Sequence, residues 1–485
     1  VLPSMSHPQG RVRVIGQPLL RALLLILPSS WGLDNGLGLT PPLTYSVWNF
    51  FSIGANETHV LETASALEST GLKALGYDTI ALDAGSIAFR DPVTDRLVAS
   101  KHRFPSGLRA LSDELHRRGF KFGGYTDLSG HTCGNGPNTG SLGRYELDAN
   151  TFALDWQIDY LKVDFCGFRH GEHCADDPRC VPVEAAQQFE HWSALRDAVN
   201  KTGRPIYLSI CPHAVASGAG TEVPKDAVIY APPPEWTRAE RHNLANSLLV
   251  EYDNAFDAWL LREESDGTPG AGLIYNIDAM LQATRLDYSA PGSWNDGDML
   301  QVCNYGDGHT PGHGMSLNEY RVMYTVWSIL ASPLILGTDL QRLARGEHPE
   351  CLALLLNADI VAVNQDPAAL PARLVAQLPP FDSANATTVG IIAQVLARPL
   401  SRGRLAVLLL NRSGQPARLS VSWAQLGLSA ADKVGVYDVV AQRDAGSATG
   451  AYTADVPSHD VSFVVLRPAD SGHSLHGHGD LLRSV

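Results

Sequence analysis

The sequence predicts a (β/α)8 barrel followed by a C-terminal antiparallel β-sandwich. Short apolar strands alternate with helix-like segments eight times between residues 43 and 339, which is the pattern of a barrel of parallel strands. Beyond residue 367 the helical period is lost. Short strand-like runs separated by Gly, Ser and Asp turns continue to residue 468, as in a sandwich. Six of the eight predicted barrel strands also end on an aspartate, which is more acid than solvation of a barrel rim would need.

The predicted barrel elements follow one another along the chain. The strands cover residues 43–48, 79–83, 120–127, 158–164, 205–211, 247–253, 292–296 and 333–339. Apolar residues recur at helical spacing between strands, as in residues 58–75, where Val60, Ala64 and Leu67 share one face. Gly76 stops this helix. Further helices are predicted over residues 108–118, 150–156 and 182–202.

The chain is predicted to have four parts. They are residues 1–31 as a signal peptide or N-terminal extension, residues 32–368 as the barrel, residues 369–468 as the sandwich and residues 469–485 as a disordered tail. In the first part Arg11, Arg13 and Arg21 precede the apolar run 22–27, which is the layout of a signal peptide. The sandwich strands are predicted over residues 388–395, 404–411, 417–423, 433–437 and 461–466.

The composition excludes several classes of partner. A hydrophobic fraction of 44% allows a large core, and a net charge of −14 without a basic patch argues against nucleic acid. Outside the N-terminal region no stretch of about 18 apolar residues exists, so we expect no membrane-spanning helix. The sequence has no GxGxxG, no phosphate-binding loop and no metal-spaced His/Asp cluster, so no cofactor or metal is expected.

The cysteines and the acceptor sequences for N-glycosylation indicate the secretory pathway. Four of the seven cysteines fall within 48 residues without a CxxC pair, which favours disulfides in an oxidising compartment over zinc. These are Cys133, Cys166, Cys174 and Cys180. The acceptor sequences begin at Asn56, Asn200, Asn385 and Asn411. We therefore expect a secreted protein or one of another secretory-pathway compartment.

The strand that ends at Asp164 carries the strongest chemical signal. Its sequence, YLKVDFC over residues 160–166, places a carboxylate at the C-terminal end of a strand, which in a barrel lies at the mouth where catalysis occurs. Such a carboxylate can attack an electrophilic carbon, and Lys162, on the same face two residues earlier, can keep it ionised. The alternative is an aspartate that caps the next helix.

Several segments resemble the α-galactosidases of glycoside hydrolase family 27, in order and across both predicted domains. They are Leu33–Pro42, Tyr160–Cys166, Trp294–Leu300, Glu319–Trp327, Ala331–Leu334 and Val361–Pro367. The resemblance as a whole covers about 430 residues. The family's barrel and C-terminal β-sandwich agree with the fold that the spacing predicts independently.

The resemblance implies a retaining exo-glycosidase that removes terminal α-D-galactosyl or sterically similar residues from glycans. Asp164 matches the nucleophile, which attacks the anomeric carbon while a second carboxylic acid protonates the leaving oxygen. The implied substrate-binding residues are Trp48, Asp83, Tyr125, Cys133, Lys162 and Asp298. Cys133 and Cys166 match a family disulfide beside the nucleophile. No cofactor or metal is implied.

The proton donor is where the sequence departs most from the family. The family places an aspartate five residues before a tryptophan, but five residues before Trp259 stands Asn254, and an amide cannot supply a proton at neutral pH. Asp253, one position earlier, is our predicted acid/base. The alternatives are Asp257 or a damaged site.

The pocket departs from the family at positions that choose the substrate. The family's two consecutive aspartates after the second strand are here Asp83-Ala84, and its Cys-Glu-Trp after the fifth strand is Cys-Pro-His at residues 211–213. Each lost charged acceptor removes hydrogen bonds of about 1.5–3 kcal/mol. A β-L-arabinopyranoside, which has no 6-hydroxymethyl group, is therefore an alternative substrate, and a silent carbohydrate-binding protein is a further alternative. The inserted loop 307–313 is expected either to add pocket walls or to be an exposed turn.

Overall fold

The structure is a computed structural model. It describes residues 35–133, 138–166, 185–212, 229–230, 236–252, 257–259, 272–285, 289–309, 312–378 and 391–468. The predicted signal peptide or N-terminal extension (1–31) and the predicted tail (469–485) lie outside the described residues. Among the helices of the described part, none has both the length and the apolar character needed to span a membrane.

The barrel region is built from short strands. Within the described residues they are β1 (Leu43–Ser46), β2 (Thr79–Ala81), β3 (Ile87–Arg90), β4 (Leu97–Ala99), β5 (Lys121–Asp127), β6 (Tyr160–Asp164), β7 (Tyr207–Ile210), β8 (Ile229–Tyr230), β9 (Ser247–Leu249), β10 (Glu251–Tyr252), β11 (Trp294–Asp296) and β12 (Leu334–Leu336). Eight of these described strands form one parallel sheet in the order β11-β9-β7-β6-β5-β2-β1-β12. The predicted parallel eight-stranded architecture is confirmed.

The sheet closes on itself through the segment that follows β11. Leu300 pairs in parallel with Leu336 of β12. Its N–H donates to the carbonyl of Ile335 at 2.7 Å, and its own carbonyl accepts the N–H of Gly337 at 3.2 Å. The first and last strands of the sheet order are therefore joined, and the carboxyl ends of all eight strands face one mouth.

Helices connect these strands. Within the described residues they are α1 (Trp48–Phe51), α2 (Glu57–Thr70), α3 (Leu72–Leu75), α4 (Leu108–Arg117), α5 (Tyr145–Asn150), α6 (Ala185–Lys201), α7 (Arg238–Leu244), α8 (Leu273–Arg285), α9 (Leu317–Ile329), α10 (Leu340–Ala344), α11 (Pro349–Leu355) and α12 (Ala358–Asn364). Local sequence sets their ends. The Asn56 side chain caps α2, and Gly71 ends it at a φ of 89°. Ser316 and Glu319 form a capping box at the start of α9.

Four sequence expectations differ from the structure in detail. The first strand ends at Ser46, so Trp48 begins α1 instead of ending a strand. The sixth barrel strand ends at Leu249, and β10 pairs with β8 outside the barrel sheet. The predicted helix 150–156 is the π-helical end of α5. Asp339, one of the strand-end acids, caps α10 by accepting the N–H of Gln341 at 3.0 Å.

The C-terminal part is the predicted antiparallel β-sandwich. Its described strands are β13 (Arg373–Leu378), β14 (Ala393–Pro399), β15 (Leu405–Asn411), β16 (Ala417–Ser422), β17 (Lys433–Asp438), β18 (Arg443–Thr449), β19 (Ala451–Val456) and β20 (Asp460–Pro468). The order β13-β14-β15-β20-β17-β18 forms one sheet and β16-β19 the other. Val407, Leu409, Val421 and Trp423 are buried between them. The predicted strands did not include β13, β18 or β19, because few residues of these strands are buried and their apolar alternation is weak.

Arg398 of β14 joins the sandwich to the barrel. Its side chain is buried, and it donates hydrogen bonds to the carbonyls of Ser328 at 3.0 Å, Val363 at 2.6 Å and Asn364 at 3.4 Å. These carbonyls lie at the C-terminal ends of α9 and α12, where the helix dipole favours a cation. Burial lowers the pKa of Arg398 to about 10. The sandwich thus satisfies backbone groups of two barrel helices.

Two disulfides cross-link the described barrel. Cys133 pairs with Cys166, as the resemblance implied, and Cys303 pairs with Cys351, a pairing that the sequence did not assign. Cys174 and Cys180 lie outside the described residues.

One glycosylation expectation is corrected by burial. Asn411 is buried, and its amide nitrogen donates to the carbonyls of Gln415, Val456 and Pro457 at 2.8–3.1 Å. This side chain is inaccessible in the folded protein, so we interpret the acceptor sequence there as a structural turn. Asn200, by contrast, is exposed.

Candidate active site

Strands β5 and β6 bring together the three side chains around the predicted nucleophile. Side chains two residues apart on a strand share a face, so Lys162 and Asp164 both point into the mouth. Tyr125 is the register partner of Lys162 on β5. The Tyr125 hydroxyl donates to Oδ2 of Asp164 at 2.6 Å, and Lys162 Nζ lies 3.8 Å from Oδ1. Asp164 therefore has one oxygen fixed by a hydroxyl and the other facing a cation.

Asp83 extends this cluster from the end of β2. Lys162 Nζ donates to Asp83 Oδ2 at 2.9 Å, and Oδ1 accepts the N–H of Ala84 at 2.7 Å. Burial raises the pKa of Asp83 to about 6, and the Lys162 ammonium opposes that rise. The carboxylate is 2% exposed and depends on Lys162 for its charge.

Lys162 remains a cation and Tyr125 remains a hydroxyl. Burial alone would lower the pKa of Lys162, but the carboxylates of Asp164, Asp83 and Asp298 raise it well above its ordinary value. Burial and the charges of neighbouring carboxylates, Asp164 first among them, raise the pKa of Tyr125 well above its ordinary value. The cluster therefore supplies one ammonium and one hydroxyl donor across the physiological pH range.

Asp298 reaches the same mouth from the turn after β11. It adopts a φ of 67°, and its N–H donates to Asp296 Oδ1 at 3.0 Å. The indole N–H of Trp327 donates to the Asp298 carbonyl at 3.1 Å. These contacts hold the backbone in an unusual conformation. The Asp298 carboxylate lies close enough to Lys162 for its negative charge to raise the pKa of that lysine. Burial and the charge of Asp298 raise the pKa of Asp296 to about 7.

The Cys133–Cys166 disulfide lies against the predicted nucleophile. Cys133 Sγ is 3.3 Å from Asp164 Oδ2. Asp127, at the end of β5, fixes the loops on both sides by accepting the N–H of Cys166 and the N–H of Ser129, each at 2.7 Å. Burial raises the pKa of Asp127 to about 7. Asp127 is one of the predicted strand-end acids, but the sequence predicted no role for it.

The same three groups are the one described His/Cys/Asp/Glu cluster close enough to share a cation. They are Asp127, Cys133 and Cys166. The two sulfurs are bonded to each other, and it is the thiolate rather than the disulfide that ligates metals. We therefore interpret the cluster as a structural one, in which the disulfide and Asp127 hold two loops together.

The predicted acid/base Asp253 lies outside the described residues, as does Asn254. The alternative, Asp257, is described and buried. Its Oδ2 accepts the N–H of Gly306 at 2.5 Å and its Oδ1 accepts the hydroxyl of Tyr320 at 2.9 Å. Burial raises its pKa to about 6, and these two donors oppose the rise. Both oxygens are occupied, which is the geometry of a carboxylate that braces a loop.

Trp48 lies at the carboxyl end of β1 and is half-buried. The ring of His309 meets its indole edge-to-face, with centroids 5.5 Å apart and planes at 78°. The N–H of His309 donates to the carbonyl of Asn49 at 2.9 Å. The loop around His309 was expected from the sequence but this side chain was not singled out, because a contact between two loops has no signal in spacing.

Comparison with known proteins agrees with the fold. The family model described as alpha galactosidase A matches residues 53–223 and 247–366, more than half of the chain. The model of the alpha galactosidase C-terminal beta sandwich domain matches residues 392–466. The chain belongs to glycoside hydrolase family 27. It is a glycosidase of the α-galactosidase type.

Alignments with relatives from plants and with a fungal structure each cover about 90% of this chain. An α-galactosidase 3 from Arabidopsis thaliana is 33% identical over 444 residues, covering 91% of this chain and 85% of the relative. An α-galactosidase from Cyamopsis tetragonoloba is 32% identical and covers 90% of this chain and 88% of the relative. The crystal structure of α-galactosidase I from Mortierella vinacea superposes with a TM-score of 0.71 at 26% identity, covering 90% of this chain and 99% of that one.

Proposed function

We propose that this family 27 enzyme removes terminal α-D-galactosyl residues by a retaining double displacement with Asp164 as nucleophile. The observation that carries the proposal is the environment of Asp164 at the end of β6. Oδ2 accepts the Tyr125 hydroxyl at 2.6 Å, and Oδ1 faces the Lys162 ammonium at 3.8 Å. A neighbouring cation favours the ionised carboxylate, which is the form that attacks carbon.

In the first step Oδ1 of Asp164 attacks the anomeric carbon. The bond from that carbon to the leaving oxygen breaks, and a carboxylic acid gives its proton to the departing oxygen. We assign that acid to Asp253. Tyr125 holds Oδ2 and so orients the attacking oxygen, which reduces the entropy cost of reaching the transition state.

In the second step the sugar leaves the enzyme. The carboxylate of Asp253 takes a proton from water, and the water oxygen displaces Asp164 from the anomeric carbon. Two inversions give overall retention. The geometry requires the two carboxyl groups to be about 5–5.5 Å apart. This chemistry needs no cofactor.

The remaining side chains of the cluster bind the sugar in this proposal. Asp83 and Asp298 accept hydrogen bonds from hydroxyl groups, and Lys162 donates one. Trp48 offers an apolar wall to the ring. Cys133 lines the floor beside the nucleophile, where its disulfide with Cys166 holds two loops in place.

Hydrolysis of a panel of aryl glycosides tests the proposal. The panel contains α-galactoside, α-N-acetylgalactosaminide, β-L-arabinopyranoside and α-glucoside, with Asp164→Ala as the blank. We expect turnover of the α-galactoside that vanishes in the variant, while circular dichroism shows an unchanged fold. A folded parent enzyme that hydrolyses none of the four, yet binds galactose, would instead be a silent carbohydrate-binding protein.

A second candidate substrate is a β-L-arabinopyranoside, and the surroundings of Ala84 favour it. Ala84 is 2% exposed and follows Asp83, whose oxygens are engaged by Lys162 and by the Ala84 N–H. A methyl group cannot accept a hydrogen bond from a 6-hydroxymethyl group, and arabinopyranose has no such group. Ala84→Asp should raise kcat/KM for galactoside over arabinopyranoside by about ten-fold, which corresponds to about 1.4 kcal/mol. An unchanged ratio contradicts this account.

We infer that the enzyme works in an oxidising compartment of the secretory pathway or outside the cell. The support is the pair of disulfides Cys133–Cys166 and Cys303–Cys351, since such bonds persist where thiols are not kept reduced. Incubation with a reducing agent is expected to lower activity. Full activity after complete reduction, measured by thiol titration, would contradict this location.

A further inference from the structure

Residues 304–309 and 312–314, which we call the rim loop, are fixed at two points of the barrel mouth. On the β1 side, the N–H of His309 donates to the carbonyl of Asn49 at 2.9 Å. On the other side, Gly306 N–H donates to Asp257 Oδ2 at 2.5 Å, and Gly314 N–H donates to the Asp257 carbonyl at 2.9 Å. The rim loop therefore runs from Trp48's helix to the segment around Asp257.

The backbone of the rim loop also packs closely against neighbouring backbone at two glycines. A Cβ on Gly308 would stand 2.8 Å from the Asn49 carbonyl oxygen, and one on Gly312 would stand 2.2 Å from the Asp257 carbonyl oxygen. Only glycine permits these approaches. An ion pair between Asp307 and Arg342 adds a third attachment. The described backbone of the rim loop is thus held against the barrel mouth.

His309 is the side chain that the rim loop sets beside the substrate wall. Its ring meets Trp48 edge-to-face at 5.5 Å and is exposed, whereas Trp48 is half-buried. Deeper in the site, Asp83 and Asp298 are 2% and 3% exposed. Exposure rises from the acids to Trp48 to His309, so we take His309 to be the outermost of these side chains.

We propose that His309 is a specificity-determining residue that binds the leaving group, the sugar beyond the scissile bond. The inference rests on the proposed function, because an exo-acting pocket holds the terminal sugar at its deep end and directs the leaving group outward. The ring nitrogens of an imidazole can form hydrogen bonds with sugar hydroxyls, and the packing of His309 on Trp48 restricts its motion. The ligand that we propose for the rim loop is therefore a neutral saccharide that forms the leaving group.

The test compares two substrates that share the galactosyl group but differ in the leaving group. α-Galactosyl fluoride has no leaving sugar, whereas an α-galactosyl disaccharide has one. For His309→Ala we expect kcat/KM on the disaccharide to fall about ten-fold, the value of one hydrogen bond, and kcat/KM on the fluoride to change less than about two-fold. His309→Gln, which keeps a donor and an acceptor, should recover most of the loss.

A loop control separates contact from disturbance. His348→Ala loosens the base of the rim loop, where His348 packs on Tyr305 with ring centroids 4.5 Å apart, but it keeps His309. This control should leave the substrate ratio unchanged. Equal losses on both substrates in His309→Ala, or no loss on either, overturn the assignment of His309 alone. A parent enzyme that hydrolyses neither galactosyl substrate contradicts the proposed function, and the assignment falls with it.

Discussion

Trp259 of the barrel and His459 of the sandwich are stacked, with ring centroids 4.4 Å apart and planes at 13°. His459 Nδ1 also lies 2.7 Å from Oε1 of Glu319, the residue that completes the capping box of α9. His459 holds a φ of 48° at the turn before β20, a conformation that a non-glycine residue adopts at a cost. The sandwich therefore contacts the barrel segment around Trp259, which follows the predicted acid/base in the chain.

Removing this stack is expected to weaken the barrel–sandwich contact. His459→Ala loses an aromatic pair of about 0.5–1.5 kcal/mol and the hydrogen bond to Glu319, worth about 0.5–1.5 kcal/mol. We therefore expect a lower Tm in differential scanning calorimetry. His459→Phe keeps the stack and should lose less. An unchanged Tm in His459→Ala would show that the two rings contribute no stability.

The hydrogen bond from Tyr125 to Asp164 should contribute to turnover and little to folding. Tyr125→Phe removes a bond to a charged group, worth about 1.5–3 kcal/mol, so kcat should fall about 10- to 150-fold with little change in KM. Tyr77→Phe is the matched control, because Tyr77 is a buried tyrosine whose hydroxyl lies 3.0 Å from that of Tyr324. Steady-state kinetics decides the matter. Equal activity losses in the two variants would remove Tyr125 from the site.

Azide distinguishes the two candidate proton donors. Asp253→Ala should retain activity on substrates with activated leaving groups and be rescued by azide, because azide attacks the glycosyl-enzyme without a base. Asp257→Asn should not be rescued, and its Tm should fall, because Gly306 and Tyr320 lose a charged acceptor worth about 1.5–3 kcal/mol. Formation of glycosyl azide is the readout. Rescue of Asp257→Asn alone would exchange the two roles.

Stability should decrease between pH 5 and pH 8. Burial raises the pKa values of Asp127 and Asp296 to about 7 in the folded protein, above the value of about 3.9 for an unfolded chain. The folded state then binds more protons than the unfolded state over this interval, so the stability that these groups contribute is lost as pH rises through about 7. Tm measured at pH 5 and pH 8 checks the sign.

Asp296→Asn provides the control for this pH dependence. An amide keeps an acceptor for the Asp298 N–H, which now bonds to Asp296 Oδ1 at 3.0 Å, but it does not titrate. The difference in Tm between pH 5 and pH 8 should therefore shrink in the variant. A Tm that rises from pH 5 to pH 8 in the parent enzyme would contradict the argument.

The sequence predicted the parts of the site that depend on regular periods. The alternation of strand side chains placed Lys162 and Asp164 on one face, and their separation of 3.8 Å confirms it. Strand neighbours in a barrel follow chain order, so β5 pairs with β6, whereas Tyr125 itself was implied only by the family resemblance. The fold and this pair therefore follow from local spacing and topology.

Contacts between loops had no such signal. The partners of Asp257 come from a loop and a helix about 50 and 63 residues away, and the pairing of Cys303 with Cys351 spans 48 residues. Burial also corrected one local prediction. The sequence identifies Asn411 as a glycosylation acceptor, but a sequence motif carries no information on accessibility, and Asn411 is buried. The expected one-residue shift that presents Asp253 instead of Asn254 stays a prediction.

Arg398 has a consequence for how such enzymes can change through recombination. A barrel fragment ending near residue 368 would leave the carbonyls of Ser328, Val363 and Asn364 without the guanidinium that now binds them. A sandwich from a relative would have to bring an arginine at this same position of its own strand. A recombination that separates the two halves is therefore expected to leave the C-terminal ends of α9 and α12 without this cap.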